Sequence, residues 1–272
     1  MLTDPRSPEV MPQLIELHHS FAATEYGQIL NENVRFDRYK PVDVSNERWI
    51  ALLGSDVNNL VHMPLTLGLT RDMVSRLNEH GERLTPHQVV TLCLAAIIHD
   101  WGEAITGDLT FDQVTAGGKV EEEQALDEII SSLKQMGDVD LRTSLHAARE
   151  VAFDASTPLG HIFNTVERIG YLRTGLRAME HVVQGDAPDC GDGLLWLTEN
   201  VIGNSLAVLV ERAEQYPPVT DYLMHMQEPI NQALSVIAHS PWVFNNYNLE
   251  DQGTRAQMFQ TARTTYSGWL GK

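Results

Sequence analysis

Basic residues are scarce in this sequence. Its 272 residues include 19 Lys and Arg against 37 Asp and Glu, so the formal net charge is −18. DNA and RNA demand a basic surface for their phosphates, and such an acidic chain is therefore not expected to bind polymeric nucleic acid. The acidic charge does not exclude a small phosphorylated substrate, because a bound divalent cation can outweigh the repulsion of its phosphate within one cleft.

Cysteines and long apolar runs are also few. Cys93 and Cys190 cannot make a disulfide framework, and no window approaches 18 uninterrupted apolar residues. The first residues lack the apolar stretch of a signal peptide. These absences predict a cytoplasmic protein that has no membrane partner.

Sequence patterns typical of β-strands are also scarce. No Asn-Gly or Asp-Gly pair lies between alternating apolar runs, whereas apolar residues recur three and four apart through most of the chain. The sequence therefore predicts an all-α protein. Helices are expected at about 13–30, 120–136, 161–183, 194–214 and 219–238.

One further helix has a clear beginning. Thr85 can cap it, Pro86 suits its first turn, and Gln88 can complete a capping box. The helix is expected to continue to about residue 104. Because it is apolar nearly all round, it should be a central buried helix.

Polar residues gather at the end of this apolar helix. A buried Asp100 would be costly unless it were paired or bound a cation, and His99 and Asp100 are both good ligands for divalent metals. A His-Asp pair satisfied by backbone and water is the structural alternative. Glu103 shares their helix face, and Asp108 follows Gly107, where the backbone can turn back toward the site.

The string from His99 to Asp108, HDWGEAITGD, resembles the HD-domain phosphohydrolases, and most closely the bacterial 5′-deoxyribonucleotidases among them. The resemblance implies a single-domain helical bundle around one divalent cation, which could be Co, Mn, Mg or Zn. It covers about residues 46–240. Residues 1–45 are then an N-terminal arm with one possible helix, and residues 241–272 a C-terminal tail packed on the core.

The same resemblance implies the remaining metal ligands. His62, 37 residues before His99, matches the first ligand, and Glu167 stands where the family has a ligand Asp. Glu is also a hard oxygen ligand, although its side chain is one methylene longer. A second departure is Val61, where the family commonly has Glu.

Substrate contacts and catalytic roles follow from the resemblance as well. Arg48 and Trp49 match the pair that helps to hold the nucleotide, since a guanidinium suits phosphate and an indole suits sugar or base. Lys119 could neutralise phosphate charge or be a solvated surface residue. Glu103 is the expected acid or base, and Asp108 is expected to protonate or orient the leaving group.

Three functions are compatible with these residues. The first is an enzyme, a 5′-deoxyribonucleotidase that converts a deoxynucleoside monophosphate to deoxynucleoside and phosphate. The second is a deoxynucleoside triphosphate triphosphohydrolase, acting for example on dATP. The third is a degenerate HD module that binds a nucleotide without turnover. Its support is Glu167 and Val61. The resemblance also implies a possible homo-oligomer.

Overall fold

A computed structural model describes residues 10–108, 116–133, 139–239 and 249–271 of the chain. The described residues contain no strand and only one isolated bridge, between Val34 and Asn58. The all-α prediction is thereby confirmed. The helices are α1 (Val10–Ala22), α2 (Glu25–Glu32), α3 (Asn46–Leu53), α4 (Asn59–Glu79), α5 (Pro86–Ile98), α6 (Glu103–Thr106), α7 (Ala116–Ser132), α8 (Val139–Phe153), α9 (Pro158–Gln184), α10 (Gly191–Ala213), α11 (Pro217–His225), α12 (Gln227–His239) and α13 (Leu249–Leu270).

Contacts divide the chain into two compact units. The first comprises residues 1–35 and 55–166, and the second comprises residues 36–54 and 167–272. Contacts alone do not establish independent folding. The single domain over residues 46–240 therefore stays a prediction.

Helix α5 lies at the centre of the first unit. It packs against α1, α4 and α8, and every side chain from Val90 to Ile98 is buried. The capping box is present, because Thr85 Oγ1 accepts from Gln88 N and Gln88 Oε1 accepts from Thr85 N. The predicted beginning of this helix and its burial from Val90 to Ile98 are thus confirmed.

Two helical stretches are long and apolar enough to cross a membrane by length and composition. They are Pro86–Thr106 and Gly191–Ala213, and 78% and 72% of their most apolar windows are buried inside the protein. Core helices of soluble proteins have the same properties. The absence of a membrane partner stays a prediction.

Two of the predicted helices are interrupted in the structure. The helix expected at 13–30 is divided because Thr24 caps α2, its Oγ1 accepting from Gly27 N at 3.2 Å and donating to Phe21 O at 2.6 Å. The helix expected at 219–238 is divided at Met226. Pro229 explains this break, because its ring would clash with the carbonyl of His225 in a continuous helix.

The second unit is organised around α10. Helices α11 and α13 pack against it, and Ala262 and Tyr266 of α13 are fully buried. Gly193 allows a close approach near the beginning of α10, because a Cβ there would lie 2.0 Å from Tyr39 O. Side chains are thereby excluded at this position.

The stacked pair of Phe21 and Trp101 joins α1 to the segment after α5. Their ring centroids are 4.2 Å apart at 7° between planes, and both side chains are buried. Trp101→Ala should lower the free energy of unfolding by about 3–5 kcal/mol, because it removes this stack and leaves a cavity. Urea unfolding of the purified chain measures the change.

The matched control is Ile105→Ala. Ile105 is 45% exposed, so its truncation should change the free energy of unfolding by only about 0.5 kcal/mol. Equal losses in the two variants would contradict the assignment of the stack as a core contact.

Candidate metal centre

His62 is positioned by the beginning of α4. Asn58 caps this helix, its Oδ1 accepting from Val61 N at 3.0 Å, while its Nδ2 donates to Asn31 O at 2.8 Å. The cap and the link to α2 fix the first turn of α4. His62, which lies in this turn, is therefore held in a defined place.

His99 and Asp100 lie where α5 ends. The helix stops at Ile98 and not at residue 104 as predicted, because the hydrogen bonding tightens to three-residue spacing. Trp101 N donates to Ile98 O at 3.0 Å, and Glu103 N donates to Asp100 O at 3.1 Å. Side chains three residues apart eclipse in such a turn, so Asp100 and Glu103 still share one side.

Three of the four predicted ligands come together in the first unit. His62, His99 and Asp100 are buried and each offers a ligand atom within 4.8 Å of the other two. Asp100 Oδ1 lies 3.1 Å from His99 Nε2, and Asp100 Oδ2 lies 4.0 Å from His62 Nε2. This arrangement could hold a metal ion.

The pairing of His99 with Asp100 needs a proton or a cation between the two side chains. His99 Nδ1 lies 3.2 Å from Ala96 O, and since a carbonyl only accepts, Nδ1 carries a hydrogen. In a neutral ring Nε2 is then an acceptor. Two acceptors 3.1 Å apart require a proton or a cation between them.

The three groups lie among other buried side chains. Asp100 Oδ2 is buried and has no hydrogen-bond partner among the described residues, which is costly for a carboxylate. The ring of Phe163 contacts the ring of His99 edge-on at 5.5 Å between centroids. Thr66 Oγ1 lies 3.1 Å from His62 Nε2 and orients that ring. The donor set and the unsatisfied Asp100 oxygen fit a divalent cation.

Glu103 is a buried carboxyl beside this cluster. Burial raises its pKa well above the usual range, and the charges of Asp100, Asp108 and Glu122 raise it further, whereas Arg35 opposes them. Asn59, which is fully buried, donates from Nδ2 to Glu103 Oε2. Glu103 therefore holds a proton at pH values where an ordinary carboxyl has lost it.

The predicted Asp108 lies near Glu103, as does Glu122, whereas the side chain of Lys119 is not described. Gly107 has the expected turn, with φ of 77°, and half-buried Asp108 follows it. Glu122 is close because α7 approaches Gly102, where a Cβ would lie 2.5 Å from Glu122 O. Lys119 is in α7, but its side chain is outside the part of the chain that is described.

Arg48, Trp49 and Glu167 belong to the second unit. Arg48 Nε and Nη2 donate to the two carboxylate oxygens of Asp189, each at 3.2 Å, and both side chains are partly exposed. Trp49 is fully buried, so it could contact substrate directly only if the residues that cover it moved. Glu167 is half-buried in α9. Its role as a ligand stays a prediction.

Four residues near the cluster were missed by the sequence interpretation: Asn59, Thr66, Phe163 and Arg35. Asn59 and Thr66 lie three residues before and four residues after His62. This spacing places them on the same helix face, and it could have identified them. Phe163 and Arg35 come from distant segments and leave no comparable signal.

Comparison with known proteins adds no further information on the site. No protein-family model matches the chain, and neither a curated protein nor a solved structure is significantly similar to it. The assignment to the HD-domain phosphohydrolases consequently stays a proposal.

Asp100→Asn is expected to weaken Mn²⁺ or Co²⁺ binding by at least about 100-fold, because loss of an outer partner of a ligand already costs 10–100-fold. Isothermal titration of each metal into the purified chain measures the affinity. Asp43→Asn, which changes an exposed carboxylate elsewhere, should bind as tightly as the wild type. Unchanged affinity in Asp100→Asn would remove this residue from the ligand set.

Glu103→Gln should stabilise the metal-free protein at pH 8 relative to the wild type. A raised pKa means that the folded state retains a proton that the unfolded state loses, so wild-type stability falls as pH rises above the usual range of a carboxyl. Glutamine has no such proton. The free energy of unfolding at pH 5 and pH 8, with EDTA present, measures the effect.

Glu128→Gln is the control for this prediction. Glu128 is an exposed carboxyl of α7, and its replacement should leave the pH dependence of stability as in the wild type. Parallel profiles for wild type and Glu103→Gln would contradict the proposed burial cost of the Glu103 charge.

Proposed function

We propose that this protein is a divalent-metal-dependent phosphohydrolase that removes the 5′-phosphate from deoxynucleoside monophosphates. The observation that carries the proposal is the buried group of His62, His99 and Asp100, whose ligand atoms lie within 4.8 Å of one another. The HD motif and the residues that follow it support the choice of phosphohydrolase chemistry.

The proposed ligands suit a borderline or hard divalent cation. Two imidazoles and a carboxylate are a donor set used for Mn, Co and Zn, whereas Mg prefers oxygen ligands. When bound, such an ion supplies Lewis acidity toward a phosphoryl oxygen and lowers the pKa of water. Coordination through His62 Nε2 would require this atom to give up its hydrogen bond with Thr66 Oγ1.

Glu103 is the proposed proton carrier. Burial raises its pKa well above the usual range of a carboxyl, which suits a group that holds and passes on a proton, and Asn59 fixes the position of Oε2. Asp108 makes the Glu103 proton harder to lose, because a second carboxylate nearby disfavours ionisation of the first. Asp108 is also the proposed contact for the leaving group, on the basis of the HD resemblance.

Substrate size and class rest on charge and on the resemblance. A net charge of −18 repels a long polyanion over its whole length, whereas a mononucleotide meets only the local field of one site. Arg48 is the proposed phosphate contact, for which a guanidinium offers a planar fork of donors. Asp189 accepts from this fork in the structure, so substrate phosphate would compete with Asp189.

Glu167 is the proposed fourth ligand. The support is the sequence match described above and a half-buried carboxylate on α9. A longer side chain than the aspartate of the resembled family can still coordinate through one or both oxygens.

The proposal is tested by assaying the full chain with Mn²⁺, Co²⁺ or Mg²⁺ against deoxynucleoside monophosphates, ribonucleoside monophosphates and deoxynucleoside triphosphates. We expect phosphate and deoxynucleoside from the first group. Glu103→Gln should retain metal and lose about 10²–10⁴-fold in kcat, which is the usual contribution of a general acid or base. Chromatography of the products and a phosphate assay measure both.

Other products would favour the other candidates. Triphosphate released from deoxynucleoside triphosphates would indicate a triphosphohydrolase, and saturable binding without turnover would indicate a binding module. Glu128→Gln is the control and should keep full activity. Glu167→Ala should lose metal affinity and Glu167→Asp should restore it; full affinity in Glu167→Ala would exclude Glu167 as a ligand.

A further inference from the structure

A cleft of about 520 Å³ lies in the first unit, between the second half of α4 and the beginning of α5. Its lining combines two arginines with apolar side chains and a few polar groups: Arg71, Arg83, Val74, Leu84, Val89 and Asn78. A volume of this size is in the range that proteins use to bind small molecules.

The two arginines of the cleft have no acidic partner among the residues that the structure describes. Within the part of the chain that the structure describes, neither Arg71 nor Arg83 forms a hydrogen bond or an ion pair. The neighbouring acid Asp72 instead accepts from Arg76 at 2.9 Å. Acids outnumber Lys and Arg by 37 to 19 in this chain, so two arginines at one cleft that have no acidic partner within the described ranges are unexpected for a surface that has no ligand.

Helix α5 adds to the positive potential of the cleft without supplying its donors. Pro86, a lining residue, has no backbone N–H, and the Gln88 N–H is already bonded to Thr85 Oγ1. The helix dipole still places partial positive charge at this end. An anion in the cleft would therefore be held chiefly by the guanidinium groups of Arg71 and Arg83.

The apolar part of the lining indicates more than a bare anion. Val74 is buried, and Leu84 and Val89 are half-buried, so they offer a surface against which a ring or short hydrocarbon can pack. Inorganic phosphate would leave this surface uncovered. An organic anion covers it and gains the corresponding hydrophobic free energy.

We propose that this cleft binds a small organic phosphate, with its phosphate on Arg71 and Arg83 and its apolar body on Val74, Leu84 and Val89. Bidentate guanidinium contacts suit phosphate geometry. The site is separate from the metal centre, because Arg71 follows His62 by nine residues on α4, roughly 13 Å along the helix axis. The proposal does not depend on the proposed phosphohydrolase activity.

The test uses phenyl phosphate as the probe and inorganic phosphate as the comparison, titrated calorimetrically into the full chain with excess EDTA. We expect phenyl phosphate to bind saturably and more tightly than inorganic phosphate. Arg71→Gln/Arg83→Gln should bind phenyl phosphate at least about 10-fold more weakly, as expected for loss of hydrogen bonds to a charged group.

Two control variants distinguish binding at this cleft from binding elsewhere on the chain. Arg142→Gln removes an exposed arginine of α8 and should bind phenyl phosphate like the wild type, which excludes a general effect of charge. Asp100→Asn should also bind it like the wild type, which excludes the metal centre. Thermal melting without ligand checks that the double variant is folded, and should be unchanged.

A measurement on the wild type keeps the test independent of the variants. The arginine Nε–Hε signals in a ¹H–¹⁵N spectrum should shift for Arg71 and Arg83 when phenyl phosphate is added, and not for Arg142. Absence of saturable binding, unshifted Arg71 and Arg83 signals, or equal affinity in a folded double variant would overturn the proposal. Equal affinities for phenyl phosphate and inorganic phosphate would overturn the proposed packing of an apolar group on Val74, Leu84 and Val89.

Discussion

The contact between His99 Nε2 and Asp100 Oδ1 at 3.1 Å is the constraint on which the candidate centre depends. It lies at the end of a helix whose side chains are buried from Val90 onward, where water cannot compensate an unpaired carboxylate. With His99 Nδ1 committed to a backbone carbonyl, the two facing atoms need a proton or a cation. The end of the buried helix thus defines where this proton or cation must lie.

The protonation of Glu103 depends on the charges of the same cluster. Burial, together with the negative charges of Asp100, Asp108 and Glu122, raises its pKa. Glu103 therefore keeps its proton at pH values where an ordinary carboxyl has lost it. A bound cation would oppose these effects, since it favours the ionised form of a nearby carboxyl. Metal binding and proton release are therefore expected to be coupled at this site. Binding of the cation is then expected to raise the free energy of unfolding.

Charge in the first unit is unevenly distributed in a chain with a strong acidic surplus. The acids near His99 form one group, whereas the cleft between α4 and α5 presents two arginines without an acidic partner among the described residues. The same helix, α4, contributes His62 to the candidate metal centre and Arg71 to the cleft. One rigid element thereby supports two chemically different surfaces, one suited to a cation and the other to a phosphate.

Residue spacing predicted the local features well. The capping box at Thr85, the turn at Gly107 and the shared side of Asp100 and Glu103 are all present, because each depends on interactions within a few residues. The helix boundaries at Thr24, Ile98 and Met226 were missed. At these points a cap, a change to three-residue hydrogen bonding or a proline three residues further on overrides a continuous apolar pattern.

The sequence by itself determined an all-helical protein with an apolar central helix that ends in a His-Asp pair. Only the tertiary structure decided that His62 lies beside this pair, that Phe163 contacts His99 while Asn59 bonds to Glu103, and that Arg71 and Arg83 line one cleft. Helical periodicity is a local property of the chain, whereas distances between segments, burial and the pKa values that follow from them depend on how the helices pack.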